Sequence, residues 1–331
     1  MKVILPVAGK GTRLRPHTHS KAKSLVQVAG KTVLEHILER LQPLAVSEYL
    51  FIVDDQGEQI QQFVARQLPQ LPCRFIVQQQ RCGPAHAVGL AAARIAAGDD
   101  LLIVFNDTIF ETDLRAIPQL CADADGLIYS LEVQDYQRFG VNVLRDGYIV
   151  DMVEKPDTPV SRLAQVGLFY LKDGARFMAA LAESIAADER VKGEFYLPPV
   201  FMRLIRQGAR FRAPLIDAWL DCGTPQALLQ TNARLLQCNQ AMAGEAHNCL
   251  LLPPVHVAAG AVLRDSIIGP NVSVAAGAVV ERSILRDCIL NRDVRLFNQV
   301  LADSLLGEEV QLVGAARKMN IGDHSLVIMQ E

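Results

Sequence analysis

The chain has 331 residues, half of them hydrophobic, which is enough for two domains with sizeable cores. Its formal net charge of −3 lacks the strong basic excess of a general nucleic-acid binder. No apolar run reaches membrane-spanning length, residues 1–8 lack a signal-peptide layout, and the seven cysteines form no CxxC pair. The expectation is a cytoplasmic protein with reduced thiols, without a disulfide frame or a zinc site.

In chain order, the first 240 residues alternate short β-branched runs with helical patterns. Strands are predicted at 3–7, 50–53, 74–78, 101–105, 127–131 and 166–171, and helices at 33–41 and 84–97. This alternation predicts an α/β domain over residues 1–240, Rossmann-like, with a mixed and mostly parallel sheet. Ligands then belong at the carboxyl ends of its strands. Residues 239–248 are read as the joint to a second domain at 247–331. There, Val257, Leu263, Ile268, Val274, Val280, Leu285, Leu290, Leu296, Leu301, Leu306 and Leu312 follow one another at steps of five or six residues. Neither a helix nor an alternating strand has that period. A triangular coil does, so a short parallel β-helix is predicted, with one inward aliphatic per face and roughly 17 residues per coil. A run of hairpins is the plainer alternative, but few Asn-Gly signals appear. His256 and His324 stand at the two ends of this repeat.

The stretch "ILPVAGKGTRLRP", residues 4–16, follows the first strand. It is no P-loop, because its one lysine, Lys10, lies between Gly9 and Gly11 instead of following the second glycine and directly preceding Ser or Thr. It is an incomplete dinucleotide fingerprint, because Leu14 stands where the third glycine belongs. Taken alone, it also fits a plain strand-to-helix turn with solvated arginines. Gly9 and Gly11 let backbone N–H groups approach a polyphosphate, while Arg13 and Lys23 offer it positive charge.

"PVAGKGTRLRPHTHSKAKSLVQVAGKTVLEHIL" resembles the N-terminal signature of the sugar-1-phosphate nucleotidyltransferases, the NDP-sugar pyrophosphorylases. The matching pieces are A-G-x-G-T-R, a lysine ten residues later, and "GK" before a helix. Ala22 and Ser24 stand where that family brackets the lysine with prolines. "QQQRCGPAHAVGLAAA" resembles the base-binding segment through Gln78 and Gly83, and the Gln78 amide can pair with the imide edge of thymine or uracil. "LLIVFNDTIF" places Asp107 at the family's first metal position, with Asn106 where a glycine is usual. "RFGVNVLRDGYIVDMVEKPDTPVSRLAQVGLFYL" resembles the sugar-binding half through Gly140, Glu154, Lys155 and Gly167. "KGEFYLPPV" contributes Lys192, and "WLDCGTPQALLQTN" places Asp221 at the second metal position. These matches run in one order from residue 3 to about 232.

The resemblance implies an enzyme joining a nucleoside triphosphate, dTTP or UTP, to a sugar 1-phosphate such as glucose 1-phosphate. Pyrophosphate leaves as the sugar phosphate attacks the α-phosphorus in line. It implies Ala8, Gly9, Gly11, Thr12, Arg13, Lys23, Gln78, Gly83 and Asp107 for the nucleotide. Gly140, Glu154, Lys155, Gly167 and Lys192 would serve the sugar phosphate, and Asp107 and Asp221 would hold Mg²⁺. Arg13, Lys23, Asp107 and Lys155 carry the catalytic roles in this reading. It further implies a left-handed β-helix, used for assembly or regulation in a homo-oligomer, and neither nucleic-acid nor membrane partners. Rival readings are a non-catalytic regulatory homologue, an added acyltransferase in the β-helix, and an NAD-dependent dehydrogenase. His17, His19, His36 and His86 have no metal-ligand spacing and are expected on loop or helix surfaces.

Overall fold

The computed structural model describes residues 1–9, 11–54 and 57–315. They fall into two compact units, divided between Thr231 and Asn232.

The first unit is built on a mixed sheet. Four parallel strands form one half, in the spatial order Cys73–Val77, Glu48–Val53, Lys2–Pro6 and Leu101–Val104. Leu101–Val104 is buried at every residue, the pattern of a parallel strand covered on both faces. The long strand Leu163–Leu171 then runs antiparallel to Leu101–Val104 and opens the other half. It also pairs with Gly126–Glu132 and, at Ala164, with Gly140–Arg145. Tyr148–Glu154 pairs antiparallel with Gly140–Arg145 and ends the sheet. Between Gln165 and Phe169 the ladder to Gly126–Glu132 breaks in a bulge, a device that turns side chains toward a site.

Local chemistry sets the helix limits. Val33–Leu41 begins where predicted because Thr32 and Glu35 form a reciprocal capping box. The helix expected over 84–97 stops early: Pro84–Gly89 is α-helical, and Ala92–Arg94 forms a separate 3₁₀ turn. Gly89 lies tight on Leu181, and the chain beyond it closes on shorter bonds such as Ala91 N–H to Val88 O. His36 corrects the surface expectation. Its ring is buried, and Nε2 donates to the Val28 carbonyl at 2.9 Å. Burial holds its pKa down at about 4.

The second unit consists of short parallel strands stacked on one another. Val255 pairs with Val272, Val262 with Val279 and Ile267 with Ile284, a step of 17 residues. The next coil pairs Val279 with Arg295 and Ile284 with Val300, a step of 16. This is the parallel β-helix that the aliphatic period predicts. Val257, Leu263, Ile268, Val274, Val280 and Leu285 are fully buried in its core, and Leu301 and Leu312 pack against it partly exposed. The segment read as a joint already holds the first rungs, Ala241–Met242 and Glu245–His247. Residues 316–331, with His324, lie outside the described residues. Among the described residues no helix is long and apolar enough to cross a membrane.

Candidate functional site

Two adjoining cavities lie at the carboxyl ends of the central strands of the first unit. One, of about 290 Å³, is lined by Ala8, Gly9, Gln78, Gly83, Asn106 and Asp107 among others. The other, of about 320 Å³, is lined among others by Arg13, Gly140, Glu154, Lys155, Gly167 and Asp221. Pro84, Phe105 and Asp107 border both.

On the first side, a Cβ at Gly9 would meet nothing within 4 Å, so the backbone there is open to a ligand. Gly11 takes φ +58, and a Cβ on it would press on Thr18 and Lys23. Gln78 is buried, and its Nε2 lies 3.1 Å from Nδ1 of His86. Gly83 has φ +111, and an added Cβ would sit 2.5 Å from the Phe195 carbonyl oxygen. Phe195 backbone atoms bond to Cys82 and Ala85 on either side of that glycine. This close approach explains the glycine and holds the loop against the segment around Phe195. Asn106 is also buried, and its Nδ2 has no hydrogen-bond partner.

Asp107 joins the two sides. Its Oδ2 is 2.8 Å from Nζ of Lys23, which is almost fully buried. Burial pushes the Asp107 carboxyl up, but the Lys23 ammonium outweighs it and, with Arg13, holds the group below its ordinary value. Asp221 arrives on a different strand. Ala218–Asp221 pairs antiparallel with Thr108–Glu111, setting Asp221 opposite Thr108. The Cys222 amide donates to the Asp107 carbonyl at 3.2 Å. Asp221 Oδ1 accepts from the Gly223 amide at 2.7 Å. A Cβ on Gly223 would lie 3.2 Å from an Arg13 guanidinium nitrogen, so Arg13 reaches this corner too. No group of three or more His, Cys, Asp or Glu is placed to hold a metal ion among the described residues. Two carboxylates with hard oxygen donors suit Mg²⁺, which keeps waters and takes phosphate oxygens for its other positions.

On the second side, Gly140 faces Glu154 across the hairpin. A Cβ there would come within 2.8 Å of Glu154 Oε2 and 3.1 Å of Gln165 Oε1. Gln165 is itself fixed through Asn142 Oδ1, and Asn142 through Ser130. Burial raises the Glu154 carboxyl, although Lys155 and Lys192 oppose it. Lys155, at φ +46, places Nζ 3.2 Å from the Tyr196 hydroxyl and 3.5 Å from Glu154. Partial burial lowers Lys155, yet Tyr196 and Glu154 outweigh this and raise it, so it stays charged. Gly167, at φ +77, abuts Phe105.

The predicted residues thus largely converge. Gly11, Thr12 and Lys192 line neither cavity, the last two being exposed, and Lys23 turns toward Asp107 instead of lining one. Residues that the sequence reading did not assign also appear. Tyr196, Gln165 and Arg138 line the second cavity, as does Trp219, whose buried Nε1 has no partner. Tyr196 and Trp219 lie inside motifs already noted, so their neighbours were the available signal. The hairpin carrying Gly140 and Glu154 had a plain one in Asp146-Gly147, both at positive φ.

A mixed sheet with glycine turns and two contiguous cavities at the carboxyl ends of its central strands defines the class, an α/β domain with a cleft at its strand ends. Residues 2–238 match the family described as nucleotidyl transferase, and the chain belongs to that family. It is 32% identical over 241 residues to UTP–glucose-1-phosphate uridylyltransferase AglF of Haloferax volcanii, covering 71% of this chain and 96% of that protein. It is 29% identical over 362 residues to a glucose-1-phosphate thymidylyltransferase of Streptomyces antibioticus, covering all of both. A putative glucose-1-phosphate thymidylyltransferase from Bacillus anthracis, solved with sucrose, shares the fold. It superimposes with a TM-score of 0.62 at 23% identity, over 74% of this chain and 97% of that one. The family and these relatives support a nucleotidyltransferase that forms NDP-sugars.

Proposed function

We propose that this protein transfers a nucleotidyl group from UTP or dTTP to glucose 1-phosphate, releasing pyrophosphate. The observation that carries this reading is the pair of contiguous cavities meeting at Asp107: one has the open Gly9 backbone and Gln78, the other has Glu154 and Lys155. The nucleophile is a phosphate oxygen that is already anionic, so no strong general base is needed. Positioning and electrostatics supply the catalysis. Gln78 and Gly83 receive the base, and the Ala8–Gly9–Gly11 backbone lies along the triphosphate. Glu154 accepts from sugar hydroxyls. Lys155, held charged between Tyr196 and Glu154, fixes the sugar phosphate for in-line attack, and Arg13 offsets charge gathering on the phosphates. Held by Asp107 and Asp221, Mg²⁺ would supply further neutralisation of the triphosphate. Lys23 keeps Asp107 ionised and oriented. We further place the protein in the cytoplasm as a homo-oligomer assembled through its β-helix.

The rival is a regulatory homologue that binds nucleotide without turnover. Retention of both aspartates and of Lys23 favours the enzyme. The test is pyrophosphate release from a panel of nucleoside triphosphates against a panel of sugar 1-phosphates with Mg²⁺. Turnover confined to UTP or dTTP with glucose 1-phosphate is expected. Nucleotide binding without turnover across the panel would favour the rival.

A further inference from the structure

His86 is absorbed neither by the sequence motifs nor by the mechanism above, yet it touches the residue assigned to the base. Its Nδ1 lies 3.1 Å from Gln78 Nε2. An amide nitrogen has hydrogens to give and no lone pair to offer, so Nε2 donates and Nδ1 accepts. The ring proton then sits on His86 Nε2. Gln78 is 5% exposed, so an amide nitrogen left unpaired there would be costly, and flipping the amide would require the ring proton to move from Nε2 to Nδ1.

We propose that His86 is a positioning residue that locks the Gln78 amide in one orientation and so selects uracil or thymine over cytosine. This rests on the assignment of Gln78 to the base. The two pyrimidine patterns are mirror images: uracil and thymine offer a donor at N3 and an acceptor at O4, and cytosine offers an acceptor at N3 and a donor at N4. A glutamine amide suits either pattern, depending only on which way round it lies. A free amide therefore discriminates poorly, and one fixed by a neighbouring acceptor discriminates well. His86 lies one turn into the helix Pro84–Gly89, which follows Gly83, so the lock and the base-side glycine share one short segment.

The test uses the full chain with Mg²⁺, measuring binding of UTP and CTP by calorimetry, and kcat and KM where turnover occurs. His86→Leu removes the acceptor, and the UTP-to-CTP preference should narrow about tenfold. The change should appear in KM for UTP, with kcat little altered. His86→Asn, which offers Oδ1 near the position of Nδ1, should restore most of the preference. In the parent, ¹⁵N spectra of the histidine rings should show the His86 proton on Nε2, with Nδ1 as the acceptor. If His86→Leu keeps the parent preference while Gln78→Ala loses it, the lock is wrong and the base assignment stands. If Gln78→Ala also keeps it, both fall. A ring protonated on Nδ1 in the parent overturns the lock even if His86→Leu does not fold.

Discussion

Lys23→Met isolates the charge pair behind the shared carboxylate. Lys23 is 8% exposed and Asp107 32%, with 2.8 Å between Nζ and Oδ2. A hydrogen bond to a charged group at this depth contributes about 1.5–3 kcal/mol. For a unit of this length, each kcal/mol moves Tm by about 2–4 °C, so the variant should melt about 3–12 °C lower at neutral pH without Mg²⁺. The pH dependence has a definite sign. The folded pKa of Asp107 lies below its ordinary 3.8, so the pair stabilises fully above the unfolded value and is lost as pH falls through the folded one. The gap between parent and variant should therefore be complete near neutrality and narrow below about pH 4. Adding Asp107→Asn removes the stranded charge, so the double variant should be less destabilised than the sum of the singles. Scanning fluorimetry in chelator, from about pH 3 to 8, reads all of this. A melting difference unchanged through the acid range, or a strictly additive cycle, would refute the pairing as described.

Asp107→Asn and Asp221→Asn should each keep the fold and much nucleotide binding while losing turnover by roughly 10²-fold or more, and the double variant should be hardly worse; near-normal turnover of either single variant at limiting Mg²⁺ would show that the metal is held elsewhere. Gly83→Ala must displace Phe195 backbone and hold an L-residue at φ +111, so denaturant melts should show a loss of about 1–3 kcal/mol. Gly9→Ala meets open space, and should change stability by less than about 0.5 kcal/mol while raising KM for the nucleotide; the opposite ranking in stability would contradict the geometry. Leu285, fully buried in the coil core, should not tolerate aspartate: limited proteolysis of Leu285→Asp should remove the second unit and leave a first unit that binds nucleotide, and a protease-resistant variant would sink that reading.

What the sequence disclosed was what local chemistry decides. Val33–Leu41 was legible to the residue because a capping box sets its start within four positions. The β-helix was legible because a five-to-six-residue aliphatic period has few other physical causes, and the same residues fill its core. The central parallel strands showed as apolar runs because both their faces are buried, whereas Cys73–Val77 at the sheet edge has no fully buried residue. The pairing of Thr108–Glu111 with Ala218–Asp221 was not legible, since strands over a hundred positions apart leave no joint periodic signal. His36 was misread because its partner, the Val28 carbonyl eight residues upstream, is brought to it only by the folded turn; His86 does lie half-exposed on a helix, and its contact with Gln78 was hidden for the same reason. The helix over 84–97 was read too long because its alanines signal helix, whereas packing at Gly89 ends it.

The mixed sheet carries a consequence for remodelling the protein. Residues 6–9 and 78–84 on the first cavity come from the parallel half, and residues 138–140 and 154–155 on the second come from the antiparallel half. On the proposed assignment, much of each cavity's lining therefore comes from its own stretch of chain and can be varied there and recombined, whereas Arg13 and residues 194–198 cross between the two sides and must be kept in common. Pro84, Phe105 and Asp107 border both cavities and form the seam at which such recombinants must agree. Phe105 is the tightest point of that seam: it lies on Gly167 through its side chain and bonds to the Gly167 carbonyl through its amide. A grafted sugar-side module that changes the backbone at Gly167 will therefore need a matching aromatic position on the other parent, and shuffling crossovers belong on either side of this contact.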